Sequence, residues 1–340
     1  MDLLPSDDQT QIVDTIKDFL NGEAPVDRLR EYGAIGNPDA AVWPKLGELG
    51  FLGLGLDEEL GGLGLSTSEE MLVFREFGYH ILSIGIFGLV LGARVAARAG
   101  DEAVRDALLT GTARVGIANA RGAAAGKGSN AQDYHLFEAK DAEWVLLVRE
   151  DGVGLYARDD FVDIEDVHST DSVLTLERAR LTIDRARLWI DTETDNIRSR
   201  ALMLLGAYAV GLGEGARDMA VEYAKMREQF GKPIGSFQAI KHICADMAIR
   251  SEAALCQASF AALVMAERSP DTDFHAVASK LVGTDVAVKN AAANIQVHGA
   301  FGFTSEANAH HYLKRSHVAD LLWGSLRAQR ERILTFPTPA

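Results

Sequence analysis

The sequence predicts a mainly α protein with a central β domain, and three observations carry that expectation. Apolar residues recur every three or four positions near both ends of the 340-residue chain. Between them lies a stretch with short apolar runs and an Asp-Gly turn. The order of elements is helices, strands, helices, which is not the alternating strand-and-helix pattern of a dinucleotide-binding α/β sheet. The expected domains are an N-terminal helical domain over residues 1–112, a shortened β domain over 113–191 and a C-terminal four-helix domain over 192–340.

The first helix is announced by Ser6, an N-cap residue followed by Asp7 and Asp8 in the first turn. Ile12, Ile16, Phe19 and Leu20 then keep helical spacing. A second helix is expected near Ala41–Leu49, ending at Gly50. The glycine-rich run from Phe51 to Leu65 forbids a long helix and marks a compact apolar connection. It contains neither a GxxxxGK[ST] loop nor a strand followed by GxGxxG, so it is no phosphate cradle of those types. Ser66–Phe77 and Ile84–Ala97 resume helical periodicity.

In the middle, Trp144–Val148 and Val153–Tyr156 flank Asp151-Gly152, a hairpin signal. Val173–Ile183 and Leu188–Ile190 read as further strands. From about Asn196 the helices are long. Leu205, Tyr208, Leu212, Ala216, Met219, Tyr223 and Met226 form one stripe, and Phe274, Val277, Leu281, Val288, Ala292 and Ile295 form another. Long helices of this kind make a four-helix bundle, with Ser269-Pro270 as a break between two of them.

Charge and cysteine usage narrow the function. A net charge of −15 repels polyanions at long range, which excludes nucleic acid as an expected partner. The two cysteines, Cys244 and Cys256, have neither metal nor disulfide-framework spacing and fit a reducing compartment. The start Met1-Asp2-Leu3-Leu4-Pro5 is acidic, unlike a signal peptide, and the apolar runs fall short of a membrane span; a cytoplasmic location follows as an expectation. His298, His310, His311 and His317 cluster near the C-terminus, but His310 and His311 are adjacent and expected on different sides of a helix, so no metal is expected.

The most specific stretch is Met226-Arg227-Glu228-Gln229-Phe230-Gly231-Lys232-Pro233-Ile234-Gly235-Ser236-Phe237-Gln238, a Gly/Pro turn joining two long helices. Arg227 can meet a pyrophosphate with paired N–H donors. Phe230 can pack on a planar ring, and Gln238 can bind an adenine edge or a phosphate oxygen. Read on composition alone, the same stretch also fits an ordinary helix–helix turn.

The pattern R-x-x-F-G-x-x-I-x-x-F-Q resembles the acyl-CoA dehydrogenase family. Gln296-Val297-His298-Gly299-Ala300-Phe301-Gly302-Phe303 is similar to that family's Q-x-x-G-G-x-G-F segment, and Trp43–Gly50 through Gly61-Gly62-Leu63-Gly64 is similar to its first domain. The resemblance implies an acyl-CoA dehydrogenase-like fold, FAD as cofactor, an acyl-CoA substrate and an electron-transfer flavoprotein as acceptor. The implied chemistry is removal of the α-proton of the thioester by a carboxylate base and transfer of the β-hydride to the flavin. It also implies that one subunit's C-terminal segments hold the ADP half of its neighbour's FAD. Matched residue by residue, Arg227, Gln229, Phe230, Gln238, Gln296, His298, Gly299 and Ala300 take that role here. Ala300 replaces the second glycine of the pair, and its methyl group narrows backbone approach to a phosphate.

Departures from the pattern are informative. The family's usual base is a Glu in a Tyr-Glu-Gly-Thr-like segment; here that place reads Leu321-Leu322-Trp323-Gly324-Ser325. Indole offers no usable base. Other members carry the base on the first helix of the C-terminal domain, where this chain has Ala201. Asp320 is a weak substitute, and Glu214 reads as a solvated or interface residue. Arg200 matches an Arg that lies by the family's acyl-CoA site, with a surface ion pair as the alternative. Gly116-Ile117-Ala118-Asn119-Ala120-Arg121-Gly122 stands where the family has a T-E-P-x-x-G-S-D-like loop, and Gly122–Gly128 reads as a flexible loop in place of a W-I-T/S segment.

The ring pocket and the base are thus missing while the ADP-half motifs persist. That division resembles the short subunit of actinobacterial heteromeric family members acting on steroid side chains, which pairs with a full-length subunit as an α2β2 heterotetramer. Two other readings stay open: a scaffold or regulatory paralogue without flavin, and a self-sufficient enzyme with an unrecognised base.

Overall fold

The computed structural model describes residues 3–32, 39, 41–121 and 133–337. In chain order the helices before the sheet are α1 (Asp7–Glu23), α2 (Leu29–Tyr32), α3 (Trp43–Glu48), α4 (Thr67–Tyr79), α5 (Gly85–Ala99) and α6 (Glu102–Leu109). The strands follow: β1 (Val115–Ala120), β2 (Asp133–Phe137), β3 (Trp144–Val148), β4 (Gly152–Ala157), β5 (Phe161–Asp166), β6 (Leu176–Leu181) and β7 (Leu188–Asp191). The last part holds α7 (Ile197–Met226), the two-residue strands β8 (Glu228–Gln229) and β9 (Lys232–Pro233), and α8 (Gln238–Ala266). It ends with α9 (Thr272–His298), α10 (Ala309–Leu321) and α11 (Leu326–Ile333). This is a mainly α architecture with a central mixed sheet. No helix among the described residues is long and apolar enough to cross a membrane.

The chain divides into two compact units. One comprises Met1–Glu31, Thr67–Ile81 and Leu202–Ala340; the other comprises Tyr32–Ser66 and Leu82–Ala201.

The second unit is built on a seven-stranded sheet of order β5-β6-β2-β1-β3-β4-β7. Every pair is antiparallel except β1 and β3, which run parallel with Ile117 opposite Leu146. The expected hairpin is present, Val148 facing Val153 across the Asp151-Gly152 turn. Three strands were not legible in the sequence: β1, β2 and β5. Val115–Ala120 is rich in Gly, Ala and Asn, poor strand formers that neighbouring strands hold in place. The β6 strand starts at Leu176 rather than Val173, because Leu174 N–H closes a turn on Asp171 O at 3.0 Å. One sheet face packs Ala118, Tyr134, Leu136, Val145, Leu147, Tyr156 and Phe161 into a core. Helix α5 packs on β1, β4 and β7; a Cβ on its Gly88 would come within 2.8 Å of Val115 Cβ. The expected loop at Gly122–Gly128 lies outside the described residues.

In the other unit, Ser6 caps α1 with a full capping box, its Oγ accepting from Gln9 N–H while Gln9 Oε1 accepts from Ser6 N–H. The long helices follow, and α8 and α9 are interrupted around Ser269-Pro270 as the sequence implies. Helices α7 and α9 touch backbone to backbone, since a Cβ on Gly283 would lie 2.5 Å from Gly206 O. Close approach explains why the apolar stripe read along α9 is its buried face only in part, at Val277 and Ile295. Leu281 and Val288 are half-buried and Ala292 is exposed, whereas Lys280, Thr284, Asn290 and Asn294 are buried. A helix surrounded by neighbours buries small and hydrogen-bonded polar residues, and its apolar periodicity no longer marks one face. Asn290 shows how: its amide N–H groups face Gly213 O, Met247 O and Ser251 Oγ at 2.9–3.2 Å, and its Oδ1 accepts from Arg250.

Candidate functional site

Helix α7 runs out at Met226, and the next residues form a miniature hairpin. Arg227 N–H donates to Tyr223 O at 2.8 Å, and Arg227 O accepts Ile234 N–H at 2.8 Å. Between them β8 pairs with β9, Glu228 opposite Pro233 and Gln229 opposite Lys232. The two central residues, Phe230 (φ 55°) and Gly231 (φ 76°), both have positive φ, the signature of a type I′ turn. Glycine adopts this freely; phenylalanine does so at a cost. Phe230 is also 92% exposed, its ring edge-on to Phe237 at 6.1 Å between centroids. Lys232 Nζ sits 4.5 Å from the centre of the Phe237 ring. Arg227, Gln229 and Gln238, the first residue of α8, are exposed.

The second sequence motif ends α9. Gln296 is exposed, while His298 is buried with Nδ1 2.9 Å from Asn294 O. Burial pushes the His298 pKa down, against a smaller upward pull from that hydrogen bond. Gly299 takes φ 62° and ψ −143°, a conformation that excludes other residues, and a Cβ there would meet nothing within 4 Å. Ala300 follows in a short 3₁₀ turn over Gly299–Phe303 without positive φ, so its methyl group is accommodated by the backbone.

What joins the two motifs is Tyr223, which sequence reasoning placed in a stripe and not in a site. Its ring stacks on His298 at 4.0 Å with a 23° interplanar angle, and lies nearly parallel to Phe301 at 6.1 Å. Beneath it Ala220, Ala224, Met247 and Val297 form a small core, against which Tyr223, Ile234 and Ile240 also pack. The hairpin that carries Arg227 and the turn that carries Gly299 are therefore anchored to one apolar cluster. The available signal was the position of Tyr223, four residues before Arg227 on the same helical face.

The Leu321–Ser325 turn, which the sequence match puts at the family's base position, is built around Trp323 and Lys280. Trp323 is buried with φ 54°, and Gly324 follows with φ 106°. Lys280 Nζ donates to Leu322 O and Gly324 O and lies 3.4 Å from Asp320 O. Gln329 Nε2 donates to Trp323 O at 2.9 Å and to Gly324 O at 3.3 Å. The Asp320 carboxylate accepts Leu326 N–H at 2.6 Å, the first N–H of α11, whose N-cap is Ser325.

Other expectations need correction or placement. Glu214 is not solvated: it is 3% exposed and receives Arg75 Nε at 2.5 Å and Nη2 at 3.1 Å in a fork. Arg200 is 7% exposed, so its ion pair with Asp195, at 3.8 Å, is buried rather than superficial; Asp195 also pairs with Arg94. Ala201 is fully buried. The rings of His310 and His311 are 4.1 Å apart, closer than opposite sides of a helix would allow. Among the described residues no group of three or more His, Cys, Asp or Glu side chains is placed to hold a metal ion.

Comparison with known proteins gives the family. Residues 6–115 match the acyl-CoA dehydrogenase N-terminal domain and residues 199–336 the acyl-CoA dehydrogenase C-terminal domain. The chain is 33% identical to the acyl-CoA dehydrogenase FadE34 of Mycobacterium tuberculosis over 87% of its own length, but spans only 42% of that relative. It is 30% identical to the acyl-CoA dehydrogenase IpdE2 of the same organism, covering 87% of this chain and 86% of the relative. A chain of the ChsE4-ChsE5 complex from Mycobacterium tuberculosis superposes with a TM-score of 0.82 at 21% identity, over 99% of this chain and 100% of that one. With both family domains matched and IpdE2 covered almost end to end, this chain belongs to the acyl-CoA dehydrogenase family.

Proposed function

We propose that this chain is a non-catalytic subunit of a hetero-oligomeric, FAD-dependent acyl-CoA dehydrogenase, lending the ADP-half contacts of a flavin site whose base comes from a full-length partner. FAD is the family's cofactor, and the donor set here fits its ADP half. The hairpin after α7 and the first residue of α8 expose a guanidinium (Arg227), amides (Gln229 and Gln238) and a ring (Phe230), and the end of α9 exposes the Gln296 amide and leaves open space at Gly299. Such groups bind pyrophosphate and adenine by charge-assisted hydrogen bonds and stacking. When bound, FAD supplies the two-electron acceptor for oxidation of the acyl chain.

The observation that carries the proposal is the contrast between the hairpin and the base turn. Phe230 is held in a costly backbone conformation and left 92% exposed, which is unfavourable unless a partner covers it. Met226, Phe303 and Ile249 are likewise 73%, 78% and 67% exposed. The base turn carries Trp323, and the Asp320 carboxylate beside it is engaged by Leu326 N–H. The superposition on a chain of a two-component complex agrees with an α2β2 assembly. A steroid side-chain CoA ester as substrate, an electron-transfer flavoprotein as acceptor and Arg200 as an acyl-CoA contact remain part of this reading by resemblance.

The test is co-expression with a full-length family member, followed by native mass and flavin content. An α2β2 mass with half as many FAD molecules as chains supports the proposal. A lone chain that holds one FAD per chain and oxidises an acyl-CoA ends it. If the complex forms but Arg227→Ala leaves its FAD content unchanged, the chain is a scaffold.

A further inference from the structure

We propose that Lys280 is a positioning residue for the Trp323 turn, its ammonium acting as a central clamp that holds the indole at the place of the family's base. Trp323 and Gly324 both have positive φ. A non-glycine residue keeps such a conformation only where its surroundings over-determine it. Here the surroundings are specific: the carbonyls of Asp320, Leu322 and Gly324 converge on Lys280 Nζ, and the carbonyls of Trp323 and Gly324 accept from Gln329 Nε2. Asp320 Oδ1 closes the turn onto Leu326 N–H.

Lys280 is fully buried on α9, and among the described residues no carboxylate oxygen is within salt-bridge distance of it. A buried ammonium without a directly paired anion is expensive, and carbonyl dipoles are its compensation. Burial pushes its pKa down to about 7, against an upward pull from Asp320. Asp320 on α10 is the charge that acts on it; α11 faces it with the neutral amide of Gln329, and α7 with the backbone of Gly206 beside Lys280 N. An ammonium has three N–H donors for three carbonyls, whereas an amine has two and a lone pair. Losing the proton leaves one carbonyl of the turn without its donor, and the indole shifts. That this turn faces a flavin site rests on the proposed function; the clamp itself does not.

The experiment uses the full chain. Trp323 fluorescence is isolated as the difference between the native chain and Trp323→Phe, and its acrylamide quenching is followed from pH 6 to pH 9. The clamp gives low quenching at low pH and a rise with a midpoint near 7, as Lys280 loses its proton. In Lys280→Met the high-quenching form is present at every pH and the transition is lost. A flat native profile overturns the proposal, as does a transition that persists in Lys280→Met, which belongs to a histidine. Should Lys280→Met not fold, heating separates the two on the native chain. An amine's midpoint falls more steeply with temperature than an imidazole's, and an imidazole-like slope overturns the clamp. FAD content of the complex, measured in parallel, reports on the proposed function alone: a pH transition without any flavin binding leaves the clamp standing and removes the flavin reading.

Discussion

Tyr223 stacks on His298 with ring centroids 4.0 Å apart, and this contact ties the end of α7 to the end of α9. Each helix end carries one of the two sequence motifs, so a single aromatic pair holds both in register. Such stacked pairs contribute about 0.5–1.5 kcal/mol beyond the area they bury. Tyr223→Ala is therefore expected to lower FAD retention in the complex while leaving the exposed Arg227, Gln229, Gln238 and Gln296 side chains unchanged. Unchanged flavin content with a normally folded variant would show that the two ends are positioned independently.

Arg227 offers a cleaner separation of binding from folding. Its backbone hydrogen bonds to Tyr223 and Ile234 survive any side-chain change, and its guanidinium is exposed. Arg227→Ala should leave the lone chain's stability within about 0.5 kcal/mol. The same change should weaken FAD retention in the complex by about 1.5–3 kcal/mol, the worth of hydrogen bonds to a charged group. Denaturant unfolding and flavin release are the two measurements.

Phe230 stands where a type I′ turn favours asparagine before glycine. Phe230→Asn should raise the lone chain's stability by up to about 1 kcal/mol, by relieving left-handed strain. It should also weaken association with the partner, because the exposed ring is lost from the surface to be covered. A variant that assembles as tightly as the native chain would remove Phe230 from the interface.

The Arg75–Glu214 pair joins a part-buried guanidinium to a buried carboxylate, with side chains 24% and 4% exposed. Glu214→Ala leaves Arg75 inside with its fork empty and should cost about 3 kcal/mol. By contrast Glu331→Ala breaks a pair with Arg327 whose side chains are 69% and 89% exposed, and should change stability by less than about 0.5 kcal/mol. Paired thermal melts decide whether burial sets this difference.

Acid should destabilise the fold through its buried histidines. His80 is 2% exposed with Nε2 3.1 Å from Asn21 Oδ1, and its pKa is lowered from 6.5 by burial, against an upward pull from its bond to Glu76 O. The unfolded chain then takes up the proton first, so stability is full above pH 6.5 and falls as the pH drops below it. The denaturation midpoint should decline less steeply between pH 7 and 5.5 in His80→Gln than in the native chain. Equal slopes would assign the acid sensitivity elsewhere.

Short-range chemistry was legible in the sequence alone. Ser6 announced its helix N-cap, Asp151-Gly152 its hairpin, Ser269-Pro270 its helix break, and the R-x-x-F-G and Q-x-x-G segments the family, because each signal is local and needs no distant contact. Tertiary structure decided everything that depends on what surrounds a residue. It made a strand of Val115–Ala120, whose own propensity is weak, by pairing it between Asp133–Phe137 and Trp144–Val148. It buried Glu214 and Arg200, which sequence reading had allowed to lie in solvent, because complementary charges from other elements reach them. It turned Lys280, one member of a helical run, into the centre of the Trp323 turn, since convergence of carbonyls from α10 and the residues after it has no trace in spacing along α9.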